Sequence, residues 1–267
     1  MNVLVTNDDG YGAWGIEALI KALSERHNVF VIAPDGNRSG NSHHISLGNK
    51  LILKKAGANH WVSSGTPADC VYSATKYDMF GVKIDAVVSG INKGENLGTE
   101  TIYSGTCGAA RQAVLDGIPG IAVSMMLPDN NLEWNDRANW HFESLAKFVK
   151  DNLETLSSLC VTSDNGRGRD EPCVYVNVNA FSYDKFSEVV FTDLCFREFV
   201  GDKIILKPLN KENTAFESIT TSGENCSKNR GYSDYLACKD GKISISRIYA
   251  EPRTCGLENL DSITFSL

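Results

Sequence analysis

The stretch that most restricts what this chain can fold into is its opening. Val3-Leu4-Val5 is a run of strand formers that stops abruptly at Asn7-Asp8-Asp9-Gly10, a strong turn signal. Two adjacent carboxylates therefore stand where a buried strand gives way to a loop. In an open parallel sheet, ligands bind just outside the carboxyl ends of the strands. Side-by-side carboxylates repel unless a cation or a shared proton compensates them. A hard divalent metal with oxygen ligands is one answer; an ordinary Asp-Gly turn in solvent is the other.

The same design recurs along the chain. Residues 15–25 place Ile16, Leu19, Ile20 and Leu23 on one face of a helix, and residues 28–33 form a second apolar strand. Strand, helix and strand make a βαβ unit with a right-handed crossover. The loop that follows, from Pro34 to Ser42, is all turn chemistry. It must end at the same sheet edge as Asp8 and Asp9, which makes Ser39 a candidate for direct contact with whatever binds there.

Leu51-Ile52-Leu53 and His60-Trp61-Val62 read as short strands, and Thr66-Pro67 as the N-cap and first position of a helix. Residues 85–92 repeat the opening pattern and bring Asn92 to a strand end. A long loop then leads through Ser104-Gly105-Thr106 into a helix over residues 107–115. Its N-terminus suits a phosphate, because the first N–H groups of a helix lack partners and carry the positive dipole end. It equally suits a plain Ser/Thr cap. Residues 120–124 form another buried strand, residues 139–157 one long amphipathic helix, residues 163–171 a surface loop, and residues 174–178 the last strand of the core. Beyond about residue 187 short alternating segments (188–192, 198–200, 203–207) flank the turn at Gly201-Asp202 and read as β-hairpins. The fold expected is α/β, a Rossmann-like, mostly parallel sheet flanked by helices, with a core over residues 1–186 and a hairpin arm over residues 187–267.

Composition narrows the function. With 42% hydrophobic and 22% charged residues the chain is an ordinary globular one, and a net charge of −7 argues against binding duplex nucleic acid through a basic face. No apolar run approaches the roughly 20 residues of a membrane span. No basic and apolar leader precedes the first strand, so the expected location is the cytoplasm. The eight cysteines contain no C-x-x-C, and reduced, mostly buried thiols are expected in place of a zinc site.

Together, Asn7-Asp8-Asp9-Gly10, Asn37-Arg38-Ser39-Gly40, Gly65-Thr66-Pro67-Ala68-Asp69-Cys70-Val71, Ser89-Gly90-Ile91-Asn92 with Gly94, Asn96 and Gly98, and Tyr103-Ser104-Gly105-Thr106 resemble the SurE (survival protein E) family. The match is ordered from residue 1 to about residue 125, with a weaker echo over residues 234–246. The resemblance implies a metal-dependent phosphatase that hydrolyses nucleoside 5′- and 3′-monophosphates. It implies one divalent cation per subunit (Mg²⁺, Mn²⁺ or Ca²⁺) held by Asp8, Asp9, Ser39 and Asn92. Gly40, Asn96, Ser104, Gly105 and Thr106 would face the phosphate, and Asp8 or Asp9 would act as base. The C-terminal arm would join a homodimer or homotetramer. The chain departs from the family at Trp14, where a proline is usual, at Cys107, and at Ser244-Ile245-Ser246-Arg247-Ile248.

Two other functions compete. An aspartyl-phosphate phosphatase would use Asp8 as nucleophile, although such enzymes usually present Asp-x-Asp with a separate lysine. A nucleotide-sensing module would keep the fold without turnover. A dinucleotide-binding dehydrogenase is excluded, because no G-x-G-x-x-G follows the first strand.

Overall fold

The computed structural model describes residues 1–77, 79–129, 131–164, 171–200, 203–221, 224–228 and 231–253. In chain order the elements are β1 (Asn2–Thr6), α1 (Trp14–Leu23), β2 (Asn28–Pro34), β3 (Leu53–Lys55), β4 (His60–Ser63), α2 (Pro67–Lys76), β5 (Ala86–Lys93), α3 (Gly105–Leu115), β6 (Gly120–Met126), α4 (Phe142–Asp151), α5 (Leu153–Ser158) and β7 (Val174–Phe181). They continue with β8 (Val189–Phe191), β9 (Phe196–Val200), β10 (Lys203–Pro208), β11 (Phe216–Thr221), β12 (Glu224–Lys228), α6 (Asp234–Lys239) and β13 (Ile243–Tyr249).

Nine strands form one sheet in the order β3-β4-β2-β1-β5-β6-β7-β13-β8. From β4 to β7 every neighbouring pair is parallel. The chain steps from β1 to β2 on one side and returns to β5 on the other. The ends of β1 and β5 therefore flank a topological switch point, where open α/β sheets bind ligands. Alternation along the strands sorts the core. Val3, Val5, Val31 and Val88 join Ile16, Leu19 and Leu23 of α1 and Leu145 and Val149 of α4 in one cluster. Leu4, Phe30, Ile32 and Val87 join Cys70, Val71 and Ala74 of α2 in another. Helix α2 starts as the residues demand: Thr66 and Asp69 form a reciprocal capping box with Pro67 in the first turn.

Three expectations are corrected. The long helix over residues 139–157 is two helices, broken at Asn152, whose φ of −123° leaves the helical range and whose side chain donates to Phe148 O at 2.9 Å. A side-chain amide that competes for a backbone carbonyl is a known helix interrupter. Residues 174–178 are not the last strand of the core: β13 pairs antiparallel with β7 over Ser244–Asn179 to Tyr249–Val174, and β8 adds beyond it in parallel. Two elements of the expected arm thus complete the central sheet. The hairpin expected around Gly201-Asp202 is also not formed between its flanking strands. β9 pairs with β12 and β10 with β11, one antiparallel pair nested inside the other. Gly201 and Asp202 themselves, and residues 165–170 of the surface loop, lie outside the described residues.

Candidate active site

Asn7 ends the first strand buried, and its side chain holds the turn by donating to Gly10 O at 2.9 Å and accepting from Gly10 N at 3.3 Å. That turn projects Asp8 and Asp9, and three further loops are tied to them. Arg38 N of the loop after β2 donates to Asp8 O at 2.7 Å. Lys93 N at the end of β5 donates to Asp9 Oδ2 at 2.9 Å. Thr106, in the first turn of α3, donates its hydroxyl to Asp8 Oδ1 at 2.6 Å and its N–H to Asp8 Oδ2 at 3.2 Å. Gly105 permits this approach: a Cβ there would lie 3.0 Å from Asp8 Cβ and 3.1 Å from its Oδ2. Helix α1 comes equally close to β5, since a Cβ on Gly15 would fall 1.9 Å from Ile91 O.

The structure thus brings Asp8, Asp9, Ser39, Asn92 and the Ser104-Gly105-Thr106 terminus to one sheet edge. Ser39 is exposed on a turn in which Asn37 Oδ1 accepts its N–H at 2.8 Å, and Gly40 follows it at the surface. Asn92 donates its amide to Gly94 O at 2.8 Å, which turns its Oδ1 outward from that bond as an acceptor. Ser104 is the N-cap of α3 and accepts from Cys107 N at 3.0 Å. Asn96 is placed differently. It is buried, donating Nδ2 to Ser124 Oγ at 2.7 Å and its N–H to Asn179 Oδ1 at 2.9 Å. Its carbonyl accepts from Asn177 and Asn179.

Burial gives the pair its chemistry. Asp8 is 2% exposed, and desolvation holds its carboxyl above the usual range despite the two bonds from Thr106. Asp9 is pushed up to about 6, first by burial and then by the charge on Asp8. Against this rise stand the Thr106 hydroxyl and the Thr106, Asp8 and Gly105 amides at Asp8, and the Lys93 amide and the charge of its ammonium at Asp9. Two neighbouring carboxylates held in this way favour a dication. The surrounding donors are oxygens of an amide and a hydroxyl, the ligand type that hard divalent ions take. In kind, the carboxylates of Asp8 and Asp9 with the hydroxyl of Ser39 and the amide oxygen of Asn92 fit such a cation.

Beside Asp9 opens a cavity of about 350 Å³ lined by Asp9, Ala13, Trp14, Gly15, Lys93 and Asn135. Sequence reasoning passed over several residues that build this edge. Asn177 and Asn179 are fully buried on β7 and hold the loop through Asn96. Their signal was legible: polar residues at alternate positions of an otherwise apolar strand must find partners. Asp234, fully buried at the start of α6, accepts from Gly98 N at 2.7 Å and Cys195 N at 2.9 Å. Nothing local announced that long-range contact. Cys70, Cys107, Cys160, Cys173 and Cys238 are free, buried thiols, with Cys70 pushed up to about 12 and Cys107 to about 11 by desolvation.

Comparison with known proteins places the chain in a family. Residues 3–200 match the family described as survival protein SurE. The chain is 42% identical over 194 residues to the 5′-nucleotidase SurE of Treponema pallidum, covering 72% of this chain and 96% of that protein. It is 33% identical over 248 residues to the 5′-nucleotidase SurE of Actinobacillus succinogenes, covering 93% and 92%. The crystal structure of the SurE protein from Aquifex aeolicus superposes with a TM-score of 0.73 at 29% identity, over 94% of each chain. On the matched residues, the relatives' coverage and the shared fold, the chain belongs to the SurE family.

Proposed function

We propose that the strand-end cluster hydrolyses nucleoside 5′- and 3′-monophosphates to nucleoside and phosphate. The observation that carries this reading is the Asp8–Asp9 pair, Asp8 buried and Asp9 half-buried, with both carboxyls raised by desolvation, joined to the N-terminus of α3 at the switch point. The names of the relatives, 5′-nucleotidase SurE, support the substrate class. A hard divalent cation held by Asp8, Asp9, Ser39 and Asn92 supplies charge neutralisation and lowers the pKa of water.

The chain's own residues do the rest. Asp9 accepts the proton of the attacking water. The water oxygen forms a bond to phosphorus as the ester oxygen leaves, and that oxygen takes a proton from solvent. The first turn of α3 and the Gly40 turn face the phosphoryl oxygens with amide donors and the helix dipole. Thr106 shares its donors between Asp8 and the phosphate. Asn96 contributes through the loop that it holds. Both oxygens of Asp8 are engaged by Thr106, which disfavours Asp8 as a nucleophile.

The nested hairpins support an assembly reading. Ile204, Leu206 and Leu209 of the inner pair are exposed at 57–69%, which suits a homodimer or homotetramer in which arms cross to neighbours. Free buried thiols suit the cytoplasm. No described helix is long and apolar enough to cross a membrane. The test of the activity is phosphate release from a panel of nucleoside monophosphates before and after EDTA. Mg²⁺ or Mn²⁺ should restore the lost rate, while thiol-blocking reagents do far less. Metal content is measured alongside, because a bulky adduct on Cys107 could obstruct the phosphate sterically. No release with Mg²⁺, Mn²⁺ or Ca²⁺ would overturn the reading.

A further inference from the structure

The cavity beside Asp9 contains groups that neither the metal nor the phosphate needs. Trp14 is 38% exposed on one wall, an unusual position for so large an apolar ring. Lys93 Nζ stands 4.8 Å from the Trp14 ring centre, 5.2 Å from that of Trp134 and 5.5 Å from that of Trp140. Its ammonium also donates to Asn135 Oδ1 at 3.3 Å. A lysine is normally a mobile point charge; here three rings and an amide fix its direction. The Trp134 and Trp140 rings, which do not line the cavity, meet edge to face and so hold each other in place against the lysine. The volume, about 350 Å³, lies at the lower end of small-ligand sites.

We infer that this cavity is the base subsite of the nucleotide and that it selects 6-oxopurines, stacked on Trp14 with O6 and N7 toward Lys93. The inference rests on the preceding reading that Asp8 and Asp9 act on nucleoside monophosphates. Every base has a face that an indole can cover, so Trp14 supplies affinity for any base. The polar end discriminates. Guanine and hypoxanthine present two acceptors, O6 and N7, which a cationic donor matches, whereas adenine turns its N6 amino donor toward the ammonium. Pyrimidines cover less of the ring. The cavity shares Asp9 with the proposed metal site, so a base seated there lies next to the reacting phosphate.

The test compares kcat/KM for IMP, AMP and ribose 5-phosphate, the last having no base, in the full-length metal-loaded protein. IMP should exceed AMP by about ten-fold, the scale of one good paired contact. It should exceed ribose 5-phosphate by more. Trp14→Ala should shrink the IMP to ribose 5-phosphate ratio by about ten-fold, and Trp14→Phe should retain most of it. Lys93→Met should erase the preference for IMP over AMP while keeping the backbone bond to Asp9. Inosine, which carries no phosphate, should quench tryptophan fluorescence in the wild type and much less in Trp14→Ala. Equal use of ribose 5-phosphate and IMP by the wild type, or an unchanged ratio in Trp14→Ala, overturns the base subsite. Failure to release phosphate from all three substrates overturns the functional reading instead, and inosine quenching then still decides the subsite.

Discussion

The edge at the switch point and the nested hairpins of β9–β12 solve opposite problems with the same chain. At the edge, residues far apart in sequence are joined through buried hydrogen bonds: Asp8 to Thr106, Asp9 to Lys93, Asn96 to Asn179 and Gly98 to Asp234. Each of these ties loses a desolvated partner if one side is removed, so the position of every group is over-determined. Among the described residues β9 pairs with β12 and β10 with β11, and the inner pair leaves Ile204, Leu206 and Phe216 exposed. Two-stranded hairpins are marginal in water. Order in the first region is internal; in the second, β9 is tied to the core through Arg197 with Thr99 and Glu95, while the inner pair exposes its apolar side chains.

The largest expected effect breaks the edge chemically while sparing it mechanically. Asp8→Asn should lower kcat by roughly three orders of magnitude, about 4 kcal/mol of barrier, because it removes one of two carboxylates from the proposed cation site. Its melting temperature without metal should hold or rise, since the buried charge is gone. A variant that keeps most of its turnover would show that the pair is structural. Asp234→Ala makes the reverse cut. It leaves the N–H groups of Gly98 and Cys195 without their acceptor, and should cost about 3 kcal/mol of stability by denaturant titration, with a smaller loss of turnover.

A pH titration sharpens the contrast further. Asp9 is raised from an ordinary 3.8 to about 6 in the folded protein, so between those values the folded state binds more protons than the unfolded one. Stability of the metal-free protein should therefore be fully present below about pH 4 and fall as pH rises through about 6, by at most about 3 kcal/mol from this group. Saturating Mg²⁺ or Asp9→Asn should flatten that slope. The smallest effect on the subunit belongs to the arm. Ile204→Ser with Leu206→Ser should change subunit stability within about 0.5 kcal/mol yet shift sedimentation toward a smaller species. Removing residues 187–267 would not test the same point, because that cut takes β8, β13 and α6 from the core. A sedimentation profile unmoved by the double substitution would show that these side chains meet no neighbour.

What was legible in the sequence follows the same division. β1, β2, β5 and β6 were readable because a parallel strand buried on both faces is a continuous apolar run; Asp8 and Asp9 come just after β1, Ser39 in the turn after β2 and Asn92 near the end of β5. Thr66 announced α2 because its cap is built from residues three apart. β13 was not readable: Ser244 and Ser246 alternate with Ile243 and Ile245 as in any hairpin, and only pairing with β7 places it in the sheet. The break at Asn152 was hidden because the apolar stripe runs on past it to Leu153 and Leu156. Asn96 is expected to face the phosphate on the family resemblance alone, and its bonds to Ser124 and Asn179, on two other strands, have no local signal in the sequence.

The place of β13 also sets a timetable for synthesis. All eight residues of β7 are buried, and one of its edges is covered only by β13, which follows about sixty residues later. At roughly 5–20 residues per second, a nascent chain spends several seconds with β7 emerged and that edge unpaired. An apolar strand with a bare edge is a template for pairing with other chains. Asn177 and Asn179 lie on that strand, so the loop that they secure is provisional for the same interval. Slow translation between β7 and β13 should therefore lower the yield of soluble protein without altering the molecules that finish.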